Sequence, residues 1–215
     1  MIKAVLFDLD GVVIDSEPLY EKVEMDLLAP YGISLSDRDQ RDLKGTTEQG
    51  FYALIESRYR PGWNRDEVIR KGRRLLLEVF SRELTFVPGF VALMDRITGR
   101  FRTAVVTSTP KWLVDAIRGM LPLDRFFSDI LCADDISNGK PHPEPYLTMM
   151  ARLRVRPQET VIIEDSLHGV TSAVRSGAFC IALAGSFSVD ELQEAHRVVE
   201  SRSQIDRHLI DGLAR

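Results

Sequence analysis

Hydrophobic and polar positions form separate blocks along this chain. Short apolar, β-branched runs at six places predict strands over residues 4–7, 102–107, 129–132, 160–164, 179–183 and 197–200. From residue 86 onward, stretches with helical periodicity separate these runs. Alternation of this kind is typical of βαβ units, and it predicts a parallel sheet with helices on both faces.

Residues 18–84 have a different hydrophobic pattern, with few strand-like runs and strong helical periodicity. Within 66–83, apolar residues recur at three- and four-residue steps, as one face of a helix requires. Pro18 and Gly32 bracket a second helix over 19–30, which Pro30 is expected to end early. We therefore predict an α/β fold with a Rossmann-like parallel-sheet core, residues 1–16 and 86–215, and an inserted all-helical cap, residues 17–85, joined by hinges. The alternative is a single compact α/β domain without a separate lid.

Amino-acid composition and net charge argue against several classes of protein. The 215 residues are 44% hydrophobic and 28% charged, which suits one globular domain with an insertion and argues against disorder. The net charge is −4 with acids and bases interspersed, so we expect neither nucleic acid nor a membrane as partner. Cys132 and Cys180 fit neither a disulfide framework nor a zinc spacing and are predicted to be buried. We found no targeting segment and expect a cytoplasmic protein.

Acidic residues follow two of the predicted strands. Asp8 and Asp10 come after the first strand, Glu164 ends the strand at 160–164, and Asp165 follows it. Carboxyl ends of parallel strands meet at one edge of the sheet, where ligands bind. Four carboxylates gathered there would repel one another unless a cation lay among them, and all-oxygen ligation favours Mg²⁺. A solvated turn is the alternative for Asp8.

Two further segments could hold phosphate. At 107–110, Thr109 and Pro110 are predicted to cap the next helix and to direct backbone N–H groups at an anion; plain capping is the alternative. Lys140 lies in a loop with Pro141 and Pro143, which would hold its ammonium group in place, although a surface lysine would have the same pattern.

The order of these segments resembles the haloacid dehalogenase superfamily of phosphohydrolases, in the β-phosphoglucomutase-like branch with a helical cap inserted after the first motif. The resemblance spans nearly the whole chain and rests on four motifs in order: Asp8-Leu9-Asp10-Gly11, Thr107, Lys140-Pro141 and Glu164-Asp165-Ser166-x-x-Gly169.

The resemblance implies a division of labour between the two aspartates. Asp8 would be the nucleophile that becomes an aspartyl phosphate, and Asp10 would be the general acid and base. Thr107 and Lys140 would hold the phosphoryl oxygens. The second aspartate distinguishes phosphohydrolases from the dehalogenases of the superfamily, which lack it.

The same resemblance implies the remaining ligands. Mg²⁺ would be bound by Asp8, the main-chain carbonyl of Asp10 and Asp165, with Glu164 acting through water. Leu9 and Ser108, beside the first two motifs, are predicted to contact the substrate.

The predicted cap helps to separate a phosphatase from a mutase. Tyr20 stands where the sugar-phosphate mutases have a histidine, and Glu48 stands where they have a phosphate-binding arginine. Both differences favour a Mg²⁺-dependent phosphatase for a small phosphorylated metabolite such as a sugar phosphate. A phosphosugar mutase and a non-catalytic phosphate-binding protein are the alternatives. Oligomeric state is not predicted, although a monomer is plausible.

Four residues of the predicted cap are candidates for substrate contact. Lys44 and Gly45 lie on a loop that is expected to face the crevice, although a helix C-cap explains this pair equally well. Glu17 and Tyr20 are expected to line the same space.

Overall fold

The computed structural model describes residues 1–43 and 46–213. The chain divides into two compact units, Met1–Ile14 with Phe86–Arg215, and Asp15–Thr85. We refer to them as the sheet unit and the helical unit. The chain leaves the sheet unit at Ile14 and re-enters it at Phe86, and these two residues pair in one antiparallel bridge.

The sheet unit contains all six predicted strands. They are β1 Ala4–Phe7, β2 Arg102–Val106, β3 Asp129–Leu131, β4 Thr160–Glu164, β5 Phe179–Leu183 and β6 Arg197–Val199. Every pairing is parallel, in the order β3-β2-β1-β4-β5-β6. The α/β prediction is confirmed.

Nine α-helices are seen in the described residues. In the helical unit they are α1 Glu17–Leu28, α2 Asp37–Leu43, α3 Glu48–Tyr59 and α4 Arg65–Glu83, and in the sheet unit α5 Phe90–Ile97, α6 Lys111–Met120, α7 Glu144–Leu153, α8 Leu167–Arg175 and α9 Arg207–Gly212. As predicted, α1 ends before Pro30, which lies in a short 3₁₀ turn. None of the described helices combines the length and apolar character that a membrane crossing requires.

The sheet is buried through its centre, which explains why its strands are apolar on both faces. Every residue of β1 and β4 is buried, and one cluster joins their side chains to those of α7 and α8. Both cysteines are buried and unpaired, as predicted. The helical unit has its own apolar cluster around Leu28, Ile55 and Val68.

Strand order determines where a ligand can approach the sheet. The chain proceeds from β1 to β2 on one side, and β4 pairs with β1 on the other side. The crevice at such a switch point opens beyond the carboxyl ends of these strands. Asp8, Thr107 and Asp165 each follow one of the three strands directly.

Candidate active site

Three carboxylates meet beyond β1 and β4. Asp8, Glu164 and Asp165 each offer an oxygen, and these oxygens lie within 4.8 Å of one another. A close approach of the backbone makes this possible. Gly11 has a φ of +70°, and a Cβ atom on it would lie 2.0 Å from Oδ2 of Asp165. Glycine is therefore required where the loop after β1 meets the loop after β4.

Lys140 lies among these acids with its side chain almost fully buried. Its Nζ donates to Oδ1 of Asp8 at 2.5 Å, to Oε1 of Glu164 at 2.7 Å and to the carbonyl of Val106 at 3.0 Å. Burial lowers the pKa of Lys140, but the charges of Asp8 and Glu164 outweigh this effect and the pKa is raised. The ammonium group is therefore kept charged and in place, and the surface-lysine alternative is excluded.

The surroundings favour the charged form of Lys140 but disfavour the charged form of Asp8. Burial raises its pKa from 3.8 to about 7, and the charges of Glu164 and Asp10 add to this increase, while Lys140 lowers it. A carboxylate perturbed by burial and by specific charged neighbours at the carboxyl edge of a sheet is typical of functional sites. The solvated-turn alternative does not fit a residue that is 9% exposed.

Glu164 has a structural surrounding that the sequence did not reveal. In addition to Lys140, Oε1 accepts from the Tyr146 hydroxyl at 2.6 Å, and Oε2 accepts from the amides of Asp165 and Ser166 and from the Ser166 hydroxyl. A Cβ atom on Gly169 would lie 1.9 Å from this carboxylate, which explains the glycine in the fourth motif. With five donors, Glu164 anchors Lys140, so its predicted metal role stays a prediction.

The loop after β2 does not have the predicted capping arrangement. The residue that caps α6 is Pro110, without a side-chain hydrogen bond, and the amide of Lys111 donates instead to Asp134 at 2.6 Å. The prediction that Thr109 is the N-cap is therefore wrong. Its hydroxyl donates to Oδ2 of Asp10 at 2.6 Å.

The predicted substrate contacts are distributed over both units. In the sheet unit, Ser108 is half-buried, whereas the side chain of Leu9 is fully buried, so only the main chain of Leu9 could reach a substrate. In the helical unit, Glu17 is in the first turn of α1, and Tyr20 packs edge-on against Phe80 at 5.3 Å between ring centroids.

Lys44 and Gly45 lie outside the described residues, so their predicted contact with the substrate stays a prediction.

One argument from the helical unit is wrong. We interpreted the Glu48 carboxylate as a group that would repel a second phosphate. In the structure, Arg73 of α4 donates to both of its oxygens, from Nε at 2.8 Å and from Nη2 at 2.6 Å. This bidentate pair offsets the negative charge, so Glu48 by itself is not evidence against a mutase.

Two residues that the sequence did not indicate also support the site. Tyr146 could have been found, because a tyrosine on the apolar face of α7 needs a partner for its hydroxyl. Arg202 gave no local signal. Its guanidinium donates to the carbonyls of Gly11 and Val12, which are about 190 residues away along the chain, and so holds the loop that carries Asp10.

Comparison of the amino-acid sequence with known proteins points to one family of hydrolases. A family model described as haloacid dehalogenase-like hydrolase matches residues 5–183. A phosphorylated carbohydrates phosphatase from Thermotoga maritima is 33% identical over 182 residues, covering 82% of each chain. Hexitol phosphatase B from Escherichia coli K12 is 29% identical over 179 residues, covering 80% of this chain and 79% of the relative.

One solved structure has the same fold as this protein over nearly the whole length of both chains. The crystal structure of β-phosphoglucomutase from Clostridium difficile has a TM-score of 0.82 and is 22% identical, covering all of this chain and 97% of the other. The family resemblance inferred from the four motifs is confirmed: the chain belongs to the haloacid dehalogenase-like hydrolases.

Proposed function

We propose that this protein is a phosphatase that hydrolyses phosphomonoesters of small metabolites, in particular sugar phosphates. The observation that carries the proposal is the position of Asp8, buried at the carboxyl end of β1 between Lys140 and two further carboxylates. Two relatives whose names contain phosphatase, one for carbohydrates and one for hexitols, support the substrate class.

Asp8 is the nucleophile in this proposal. One of its carboxylate oxygens attacks phosphorus, and the bond between phosphorus and the ester oxygen breaks as the aspartyl phosphate forms. Lys140, whose Nζ lies 2.5 Å from Oδ1 of Asp8, already lowers the pKa of this carboxyl group. The pKa stays raised all the same, so full ionisation at neutral pH requires further positive charge, which a bound cation would supply.

Asp10 is the general acid and base. It gives a proton to the departing ester oxygen, so that a neutral alcohol leaves, and it then takes a proton from the water that attacks the aspartyl phosphate. That second attack breaks the bond between Asp8 and phosphorus and releases inorganic phosphate. Lys140 and the hydroxyl of Thr107 hold the phosphoryl oxygens during both steps.

The acidic cluster fits a divalent cation. Its donors are carboxylate oxygens, and with His and Cys absent from the cluster the donor set suits a hard ion. We infer Mg²⁺, held by Asp8, Asp165 and the main chain of Asp10, with Glu164 nearby. When bound, such an ion neutralises charge on the carboxylates and on the transferring phosphoryl group.

The mutase alternative requires a second phosphate site. Tyr20, at the position where the mutases have a histidine, packs against an aromatic ring and carries no positive charge. Together with the names of the relatives, the uncharged Tyr20 favours water as the final acceptor.

The test is phosphate release from a panel of sugar phosphates, other phosphometabolites and p-nitrophenyl phosphate. We expect turnover with saturating Mg²⁺ and its loss in EDTA. As a matched control, Asp190→Asn changes an exposed aspartate and should leave the rate unchanged. Absence of release from every ester would overturn the proposal, and accumulation of an isomerised sugar phosphate faster than free phosphate would support the mutase instead.

A further inference from the structure

Thr109 contacts the predicted general acid and base directly. Its hydroxyl donates to Oδ2 of Asp10 at 2.6 Å, although 99 positions separate the two residues along the chain. Thr109 is 5% exposed. Since it does not cap α6, helix formation does not account for a hydroxyl at this position.

The same loop joins this hydroxyl to the predicted phosphate site. The amide of Thr109 donates to Oγ1 of Thr107 at 3.0 Å, and the Thr107 hydroxyl donates to Oγ1 of Thr109 at 3.0 Å. The loop after β2 therefore presents two buried hydroxyls in a fixed relation. Thr107 is the residue predicted to hold the phosphoryl group, and Thr109 contacts Asp10.

We propose that Thr109 is a positioning residue that fixes the carboxyl group of Asp10 for proton transfer. The inference rests on the proposed function and refines it. While the bond between phosphorus and the ester oxygen breaks and the bond to Asp8 forms, the proton leaves Asp10 for the ester oxygen. That transfer requires the carboxyl group within hydrogen-bond reach of the ester oxygen, and the hydrogen bond from Thr109 restricts its rotation.

The proposal has a consequence that a merely structural threonine would not have. An alkoxide such as that of a sugar needs a proton to depart, whereas p-nitrophenolate is a weak base that departs without one. Loss of the Thr109 hydroxyl should therefore impair cleavage of a sugar phosphate more than cleavage of p-nitrophenyl phosphate. The value of kcat/KM isolates this step, because it reports only the steps up to the first irreversible one.

The experiment compares Thr109→Val, which keeps the shape and removes the donor, with Thr109→Ser, which keeps the hydroxyl. As control, Thr103→Val removes a buried hydroxyl of β2, the strand before this loop, where Thr103 donates to the carbonyl of Phe126. With saturating Mg²⁺, we expect Thr109→Val to lower kcat/KM for the best sugar phosphate about 10- to 100-fold and for p-nitrophenyl phosphate less than about threefold. Thr109→Ser and Thr103→Val should stay near the wild type for both.

An equal loss with the two esters, or no loss with either, would overturn the inference while the proposed function stands. If Thr109→Val fails to fold, Thr109→Ala replaces it. The same comparison then applies: kcat/KM should fall more for the sugar phosphate than for p-nitrophenyl phosphate. Absence of turnover by the wild-type protein would overturn the proposed function itself, and the inference with it.

Discussion

Two buried aspartates, one in each unit, have opposite surroundings. Asp8 of the sheet unit lies beside other acids, and burial raises its pKa to about 7. Asp39 of the helical unit accepts hydrogen bonds from Ser36, Tyr59 and Arg58, which hold the pKa of its carboxyl group well below the usual range.

The comparison separates a structural acid from a reactive one. Asp39 is 4% exposed and Asp8 is 9% exposed, so burial alone does not distinguish them. The difference lies in the donors. The Asp39 carboxylate accepts hydrogen bonds from the hydroxyls of Ser36 and Tyr59 and from the guanidinium of Arg58, so donors of the same unit stabilise its negative charge. Asp8 has Lys140 but faces like charges, which leaves it dependent on a further cation.

The largest expected effect separates the two residues by activity. Asp8→Asn should lower phosphate release about a thousandfold or more, because an amide cannot form the aspartyl phosphate. Asp39→Asn should stay within about threefold of the wild type at a temperature well below melting. Initial rates on the best ester of the panel, with circular dichroism to verify folding, test this contrast. Substantial residual turnover by Asp8→Asn would contradict the nucleophile role.

The second-largest expected effect is on stability, and it concerns Asp39. Asp39→Asn weakens the bond to Arg58 and replaces a charged acceptor that three donors share, so we expect the melting temperature to fall by about 5 °C. The pKa of Asp39 is lower in the folded than in the unfolded chain, so its contribution is present above the unfolded value and is lost as pH falls. The difference in melting temperature between the wild type and the variant should therefore be largest near pH 6 and should shrink as pH falls below about 4. A constant difference at all pH values would contradict this account.

The smallest effect concerns Asp8 and metal. Its folded pKa of about 7 exceeds the unfolded value of 3.8. Between these values the folded chain binds more protons than the unfolded chain, so stability falls as pH rises. In EDTA we expect this decline in melting temperature for the wild type, and a weaker decline for Asp8→Asn.

At neutral pH, millimolar Mg²⁺ should raise the melting temperature of the wild type by about 2–4 °C, since it binds the folded crevice and relieves repulsion among the acids. Asp165→Asn should reduce this gain. The exposed Asp190→Asn variant should keep it, and an equal gain in all three proteins would mean that the ion binds elsewhere.

Local patterns were sufficient for the strands and for the meeting of the acidic motifs. Apolar runs of four or five residues form strands because both faces of a parallel sheet are buried. Once the strands are parallel, residues that follow them, such as Asp8 and Asp165, must lie at one edge.

Interactions between distant segments could not be predicted in this way. Thr109 followed by Pro110 has the pattern of a helix cap, and only the position of Asp10 in the loop after the neighbouring strand β1 shows another partner for the Thr109 hydroxyl. The charge of Glu48 suggested repulsion of phosphate, until α4 brought Arg73 to it. Both errors arose because a side chain was interpreted without its partner from elsewhere in the chain.

The amino-acid sequence alone therefore determined the α/β class, the order of the strands along the chain and the acids at their ends, since these depend on periodicity and on strand direction. The tertiary structure decided which oxygen each donor reaches, that Glu164 anchors Lys140 and that Arg202 holds the loop after β1. Those contacts depend on packing between segments up to about 190 residues apart, which no local pattern encodes.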